Sequence, residues 1–399
     1  MKKFRISAVI LVAFFYVFIY LFTATNYFPV PLGGIAFILF SFLFGFLVLK
    51  KIFIFNKIDY ALILIMLCIS SLSFLLSGYY RSLLYSIPLI GLLGLSRFNI
   101  NSPHFNINFK YYKFSAYLLM TILFSLVLLS IPFFMPTHGE RESILWITDP
   151  NYSALMLMVP LVIMWTFVSE FSKSKIISGF FYLILLTLFI FIFIKTQSRG
   201  YFLSLVVFLI LFYFRSIIPI IRLRIIAYLA IFLPFIAQIL ISYYFLDSFG
   251  VKTEDVSRLA HFNDDSNFAR MQAFLSALEF SQTLIFTGTT LNNFMVMSDA
   301  PNIPHNWILM MVITSGWLYF IIFIVMLLRV VNNAHGHLIP ILIALLLFGS
   351  VLGDVIFVTV SYLLITMFYF YVIISNSHQS DLRKRGFLVK RHCEKVDEM

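Results

Sequence analysis

Long apolar runs, separated by short charged or turn-forming stretches, recur along the whole chain. They fall at about 6–22, 31–49, 59–77, 82–96, 114–134, 151–169, 177–194, 200–214, 224–245, 306–328, 337–352 and 355–375. A helix rises about 1.5 Å per residue, so roughly 20 apolar residues cross a hydrocarbon core about 30 Å thick. Unpaired backbone groups cost several kcal/mol each in that core, so such spanning segments must be helices. The pattern predicts an all-α polytopic membrane protein with about 12 transmembrane helices and both ends on one side. The first run follows Met1-Lys2-Lys3-Phe4-Arg5. It is too long for the apolar part of a signal peptide and no small-residue cleavage site closes it, so it reads as an uncleaved span. Only 11% of the residues are charged, against roughly 25% in soluble domains, which excludes a water-soluble globule.

Charge placement sets the orientation. The net charge of +11 would point to nucleic acid in a soluble protein; here cytoplasmic loops rich in Lys and Arg account for it, and no nucleic-acid partner is expected. With the N-terminus cytoplasmic, 21 of the 28 lysines and arginines fall on the inner side. The exceptions are Arg81, Arg141, Lys195, Arg199, Lys252, Arg258 and Arg270. Residues 1–376 therefore read as one transmembrane domain, with a long outward loop at 246–305, and 377–399 as a basic cytoplasmic tail. Cys68 and Cys393 fall in a span and in the tail, so neither a disulfide framework nor a metal cluster is expected.

Each outward cation calls for a reason. Lys195 reads as snorkelling to the headgroups. Arg199 stands at a helix start after Ser198, a capping residue, and before Gly200, which admits close backbone approach. Exposed helix-start amides beside a guanidinium make a phosphate site, although simple snorkelling accounts for the cation too. Asp149 or Asn151 would cap the span that opens at Pro150. In the same outer loop, His138, Glu140, Arg141 and Glu142 read as mutual ion pairs.

Within the long loop, 267–282 has helical periodicity, with Phe268, Met271, Leu275 and Leu278 on one face. This predicts an amphipathic helix lying on the membrane, holding Arg270 at headgroup height; pairing of Arg270 with Asp264 or Asp265 is the alternative. His305 and Asn306 follow Pro304 at the start of the next span. A histidine there can serve as a helix-end group or accept a proton from a hydroxyl. Asp354 is expected near the outer end between the last two spans, where it could orient one of these groups. There is no Gly-rich phosphate loop after a strand, no paired carboxylates with glycosidase context, and no Cys/His set with zinc spacing.

Asp149-Pro150-Asn151-Tyr152, Gln197-Ser198-Arg199-Gly200 and Pro304-His305-Asn306, with Gly316 ten residues on, together resemble the O-antigen ligase and O-antigen polymerase superfamily. The likeness covers about 145–355, and the second glycine of that pattern is Tyr319 here. The resemblance implies a GT-C-like, metal-independent, inverting glycosyltransferase of the bacterial inner membrane that needs no cofactor. By similarity, Arg199 and Arg270 would bind the pyrophosphate of an undecaprenyl-pyrophosphate-linked glycan at the periplasmic face. His305 would activate the acceptor hydroxyl, supported by Asn306, Asp149, Asn151, Ser198 and Asp354. The acceptor would be a second lipid-linked glycan for a polymerase, or lipid A–core for a ligase, with a chain-length regulator as a further partner. A loop of about 60 residues between 246 and 305 favours the polymerase. A flippase for the same lipid-linked sugars is the rival, but it would carry charges inside its spans, whereas almost all charges here sit at segment ends.

Overall fold

The computed structural model describes residues 55–77, 81–96, 109–137, 141–144, 149–171, 174–245, 265–301, 303–333 and 339–349. The expected spans at 6–22, 31–49 and 355–375, the tail at 377–399, and Asp354, Asp264, His138 and Glu140 lie outside the described residues.

Seven helices follow the hydropathy pattern: α1 (Lys57–Ser77), α2 (Arg81–Ser96), α3 (Phe109–Ser130), α4 (Pro150–Phe171), α5 (Lys175–Thr196), α6 (Arg199–Phe214) and α7 (Ile220–Phe245). Lys57–Leu76, Pro150–Ser169, Lys175–Thr196 and Ile220–Tyr244 are long and apolar enough to cross a membrane. Shorter apolar stretches include Arg199–Phe214, Trp317–Asn333 and Ile339–Phe348. The protein is a predominantly helical membrane protein, and the exposure of its helices shows why. On α5, Leu185, Leu188, Phe189, Ile192 and Thr196 are buried at helical spacing. The opposite face leaves Ile176, Phe180, Leu183, Ile190 and Ile194 exposed. An apolar surface of that extent needs lipid around it rather than water. α4 is the central helix, buried on nearly all sides from Ser153 to Met164 and packed on α3, α5 and α6.

Lipid supplies no hydrophobic drive between helices, so close packing and internal polar bonds must hold them together. Tyr319 illustrates this. It is fully buried, and its hydroxyl pairs with Ser86 Oγ at 3.1 Å, while Ser86 Oγ also pairs with Ser70 Oγ at 2.8 Å. Small serines on α1 and α2 thus make room for the tyrosine.

Two features depart from the hydropathy reading. First, the fold is not wholly helical: β1 (Phe134–Pro136) and β2 (Glu142–Ile144) pair as an antiparallel hairpin in the loop before α4. Second, the run at 306–328 is not one helix. It divides into α10 (Trp307–Ser315) and α11 (Trp317–Asn333) at Gly316, whose φ is +87°. The remaining elements are α8 (Asp265–Ser281), α9 (Leu291–Ser298) and α12 (Ile339–Gly349), the last packed on α6 and α7.

The break between α10 and α11 is closed by residues 282–290. Trp317 N–H donates to Leu284 O at 3.0 Å, and Leu318 N–H to Ile285 O at 3.0 Å. Thr289 N–H donates to Ile313 O at 2.6 Å. Three of the groups that a broken helix would orphan are thereby paired. The approach is tight: a Cβ on Gly288 would lie 2.1 Å from the Thr314 carbonyl carbon, and one on Gly316 3.0 Å from the Phe286 carbonyl carbon. Both positions require glycine, one for space and the other also for its left-handed backbone.

Candidate functional site

The site is assembled at the start of α10. Asn306 caps that helix: its Oδ1 accepts from Ile308 N–H at 3.0 Å and Leu309 N–H at 3.2 Å. Its Nδ2 donates to Gln238 Oε1 on α7 at 3.0 Å. With both ends of its amide engaged and its surface 1% exposed, Asn306 is a fastener that fixes the loop just outside α10. His305 is the residue so fixed.

His305 is half-buried, and its Nδ1 is buried without a hydrogen-bond partner. Burial, with Arg270 nearby, pushes its pKa down to about 4, partly opposed by Asp149 and by a hydrogen bond to the Ile303 backbone. Residues from α8, the start of α4 and the start of α10 are thus within electrostatic reach of one imidazole. The imidazole is neutral at physiological pH, so one of its two ring nitrogens is an acceptor and the ring carries no charge.

The packing of the helix that carries Arg270 adds to the expectation. The periodicity of 267–282 predicts a helix lying flat on the membrane, on Phe268, Met271, Leu275 and Leu278. Those four are only partly buried. Ala273, Phe274 and Ala277 are fully buried; Phe274 and Ala277, with Leu275 and Leu278 beside them, pack with Leu309 and Ile313 of α10 and with Phe235 and Ile239 of α7. At one end Arg270 acts on His305; at the other, Trp317 Nε1 donates to Ser281 O at 2.9 Å. The helix therefore runs alongside α10 in the same direction. Protein contact, not the membrane plane alone, sets the position of Arg270. The small side chain at Ala277 allows this close approach, which a search for large apolar residues overlooks.

Asp149 stands just before Pro150, the first residue of α4, as expected of a cap. Its Oδ1 accepts from Asn151 N–H at 2.6 Å and Tyr152 N–H at 3.4 Å. Asn151 turns its Oδ1 to Arg141, whose Nη2 donates at 2.9 Å, while Arg141 Nε donates to Thr196 O at 3.0 Å. Arg141 therefore ties the hairpin and the start of α4 to the end of α5. The next residues are the turn Gln197-Ser198 and then Arg199, the first residue of α6. Ser198 Oγ accepts from Tyr201 N–H at 3.4 Å, the expected cap, and Gln197 takes a left-handed conformation with φ 46°. Arg199 is half-buried and belongs to this stitched neighbourhood.

Glu142 pairs with Lys195 at 2.8 Å, so Lys195 fastens the hairpin to α5 instead of reaching only for headgroups. Arg141, expected only as a partner of nearby acids, is 92% removed from solvent and also bridges two helices. The signal for it lay in its position, a guanidinium a few residues from a helix start that needs an acceptor held in place. Asp354 lies outside the described residues. Among the described residues no group of three or more His, Cys, Asp or Glu is placed to hold a metal ion.

This arrangement combines two guanidinium-bearing stretches with a neutral imidazole at helix starts. No family model, curated protein or solved structure matches the chain.

Proposed function

We propose that the chain is an O-antigen polymerase-type glycosyltransferase with about 12 spans and a GT-C-like arrangement, acting at the periplasmic face of the bacterial inner membrane. The observation that carries this reading is the meeting of His305, Arg270 and Asp149, drawn from three distant stretches, around an imidazole whose Nδ1 has no partner. Arg199 and Arg270 bind the diphosphate of an undecaprenyl-linked donor. The acceptor hydroxyl attacks the anomeric carbon as His305 takes its proton. The C–O bond to the diphosphate breaks, and the leaving group departs with the electron pair. Cations placed where that charge develops stabilise it most in the transition state.

The depressed basicity of His305 fits this order of events. Before the donor arrives, Arg270 helps keep the imidazole unprotonated. A bound diphosphate offsets Arg270, raising the proton affinity of His305 when the acceptor needs a base. Asp149 contributes in the same direction while capping α4.

The glycan profile of a deletion strain tests the reading. Lipopolysaccharide carrying one repeat unit per core supports a polymerase. Bare core with accumulated lipid-linked polymer would identify a ligase, which shares the donor chemistry and differs in acceptor. Bare core with single lipid-linked units held on the cytoplasmic face would identify a flippase and overturn the enzymatic reading.

A further inference from the structure

The stretch at 282–290 lies in what the sequence presents as an aqueous outer loop, yet its side chains are of the wrong kind for water. Ile285 is 57% exposed and Phe286 64% exposed, adjacent in sequence and outside any helix. The segment is not loosely attached. Its carbonyls at Leu284 and Ile285 accept from the first two amides of α11, and its Thr289 amide donates to α10. Thr283 Oγ1 donates to Phe280 O at 2.8 Å, so a polar side chain at its entrance is satisfied internally.

The direct bond between Ile285 and Leu318 places this segment on the first turn of α11. Leu318, Ile321 and Val325 are the exposed large apolar residues of that helix, at spacings of three and four that make a single stripe. Ile285 and Phe286 therefore extend the lipid-facing stripe of α11 beyond the helix start. Irregular backbone survives at membrane depth only where protein pairs its polar groups, and here the Leu284 and Ile285 carbonyls and the Thr289 amide are paired with the broken helix.

We infer that 282–290 is a re-entrant strap whose Ile285 and Phe286 are immersed in bilayer hydrocarbon, on the side of the membrane that carries His305. The long loop thus returns to the lipid before α10 begins. Since α8 ends at Ser281 and Trp317 Nε1 bonds its last carbonyl, an embedded strap fixes the depth of α8, and with it of Arg270. This inference does not rest on the proposed reaction.

Spin labels on single cysteines in the full chain test it, with Cys68 and Cys393 replaced by serine and the protein reconstituted in phosphatidylcholine vesicles. Labels at Phe286→Cys and Ile285→Cys are compared with Ile321→Cys on the α11 stripe and Asp299→Cys at the exposed end of α9. The expected result is that the strap labels collide with dissolved oxygen far more than with a water-soluble nickel chelate, as the Ile321 label does, while the Asp299 label shows the reverse. Strap labels that follow the Asp299 pattern would overturn the inference. All four side chains are a third or more exposed, so the substitutions leave the core intact. A circular-dichroism melt of each labelled protein keeps the comparison among folded samples.

Discussion

The α10–α11 pair handles polar groups in opposite ways at its two ends. At the Arg329 end, every polar atom of the carboxylate is engaged. Asp59 is fully buried; its Oδ1 receives Arg329 Nε at 2.8 Å and Nη2 at 2.7 Å, and its Oδ2 receives Asn56 N–H at 3.1 Å. Nearby, Tyr228 donates to Asn332, joining α7 to the same helix end. At the His305 end the helix cap is complete, but the residue beside it keeps a buried nitrogen without a partner and has its pKa driven to about 4. Satisfied charge at one end holds α1 against α11. Unsatisfied polarity at the other, retained beside Arg270 and Asp149, is costly for a fold and useful for a ligand.

Substitution should therefore separate the two ends by what is lost. The largest effect is expected at His305→Ala: glycan transfer falls about 10²–10⁴-fold, the usual range for a general base, while the melting temperature holds. Full activity in this variant, measured as polymer formed per folded molecule, would sink the proposed chemistry. Arg329→Ala should do the opposite. It strands the Asp59 carboxylate in the core, and breaking a buried pair costs about 3–5 kcal/mol. A quarter of Arg329 is solvent-exposed, so the low end, about 3 kcal/mol, is expected in denaturant unfolding. Transfer per folded molecule should stay near wild type.

How far the sequence reveals these two ends follows from the range over which each signal acts. Apolar runs locate α1 to α7 because a lipid-facing helix is specified locally, residue by residue. Caps at Asp149 and Ser198 were legible for the same reason, since a cap acts within three residues. His305 and Arg270 could be nominated together, but only the packing of Phe274 and Ala277 on α10 explains why they meet. The break at Gly316 was invisible in an unbroken apolar stretch, because it depends on carbonyls supplied by Leu284 and Ile285 about thirty residues upstream. Arg329–Asp59 and Lys195–Glu142 were hidden likewise: their partners are far apart in the chain.

Arg141 lies between the two behaviours, a cation used as a fastener within the site's neighbourhood. Arg141→Ala removes its bonds to both Asn151 and Thr196. Hydrogen bonds to charged groups are each worth about 1.5–3 kcal/mol. A loss of roughly 2 kcal/mol in unfolding is expected, together with a rise in donor KM through misplacement of Arg199. A change in stability alone, with donor KM unmoved, would show that the Arg141 bridge has no bearing on Arg199.

The smallest expected effect tests the electrostatic link itself. His305 must be neutral to accept a proton, and its pKa is lowered to about 4 by burial first and Arg270 second. Wild-type kcat/KM should therefore stay level as pH drops through 6 and decline only as it approaches 4. Replacing Arg270 by Gln removes one of the two lowering influences and leaves Asp149, which acts in the raising direction. The acid limb of the profile should then move to higher pH, toward the ordinary histidine value near 6.5, superimposed on a lower overall rate from the lost diphosphate contact. Asp149→Asn should shift the limb the other way, because it removes an influence that favours the protonated form. Opposite displacements from one imidazole are hard to obtain from a loss of stability, which would lower the whole profile without moving its limb. A limb that stayed in place in both variants would mean that His305 does not set the pH dependence, and the contrast between the two ends of the helix pair would then be structural only.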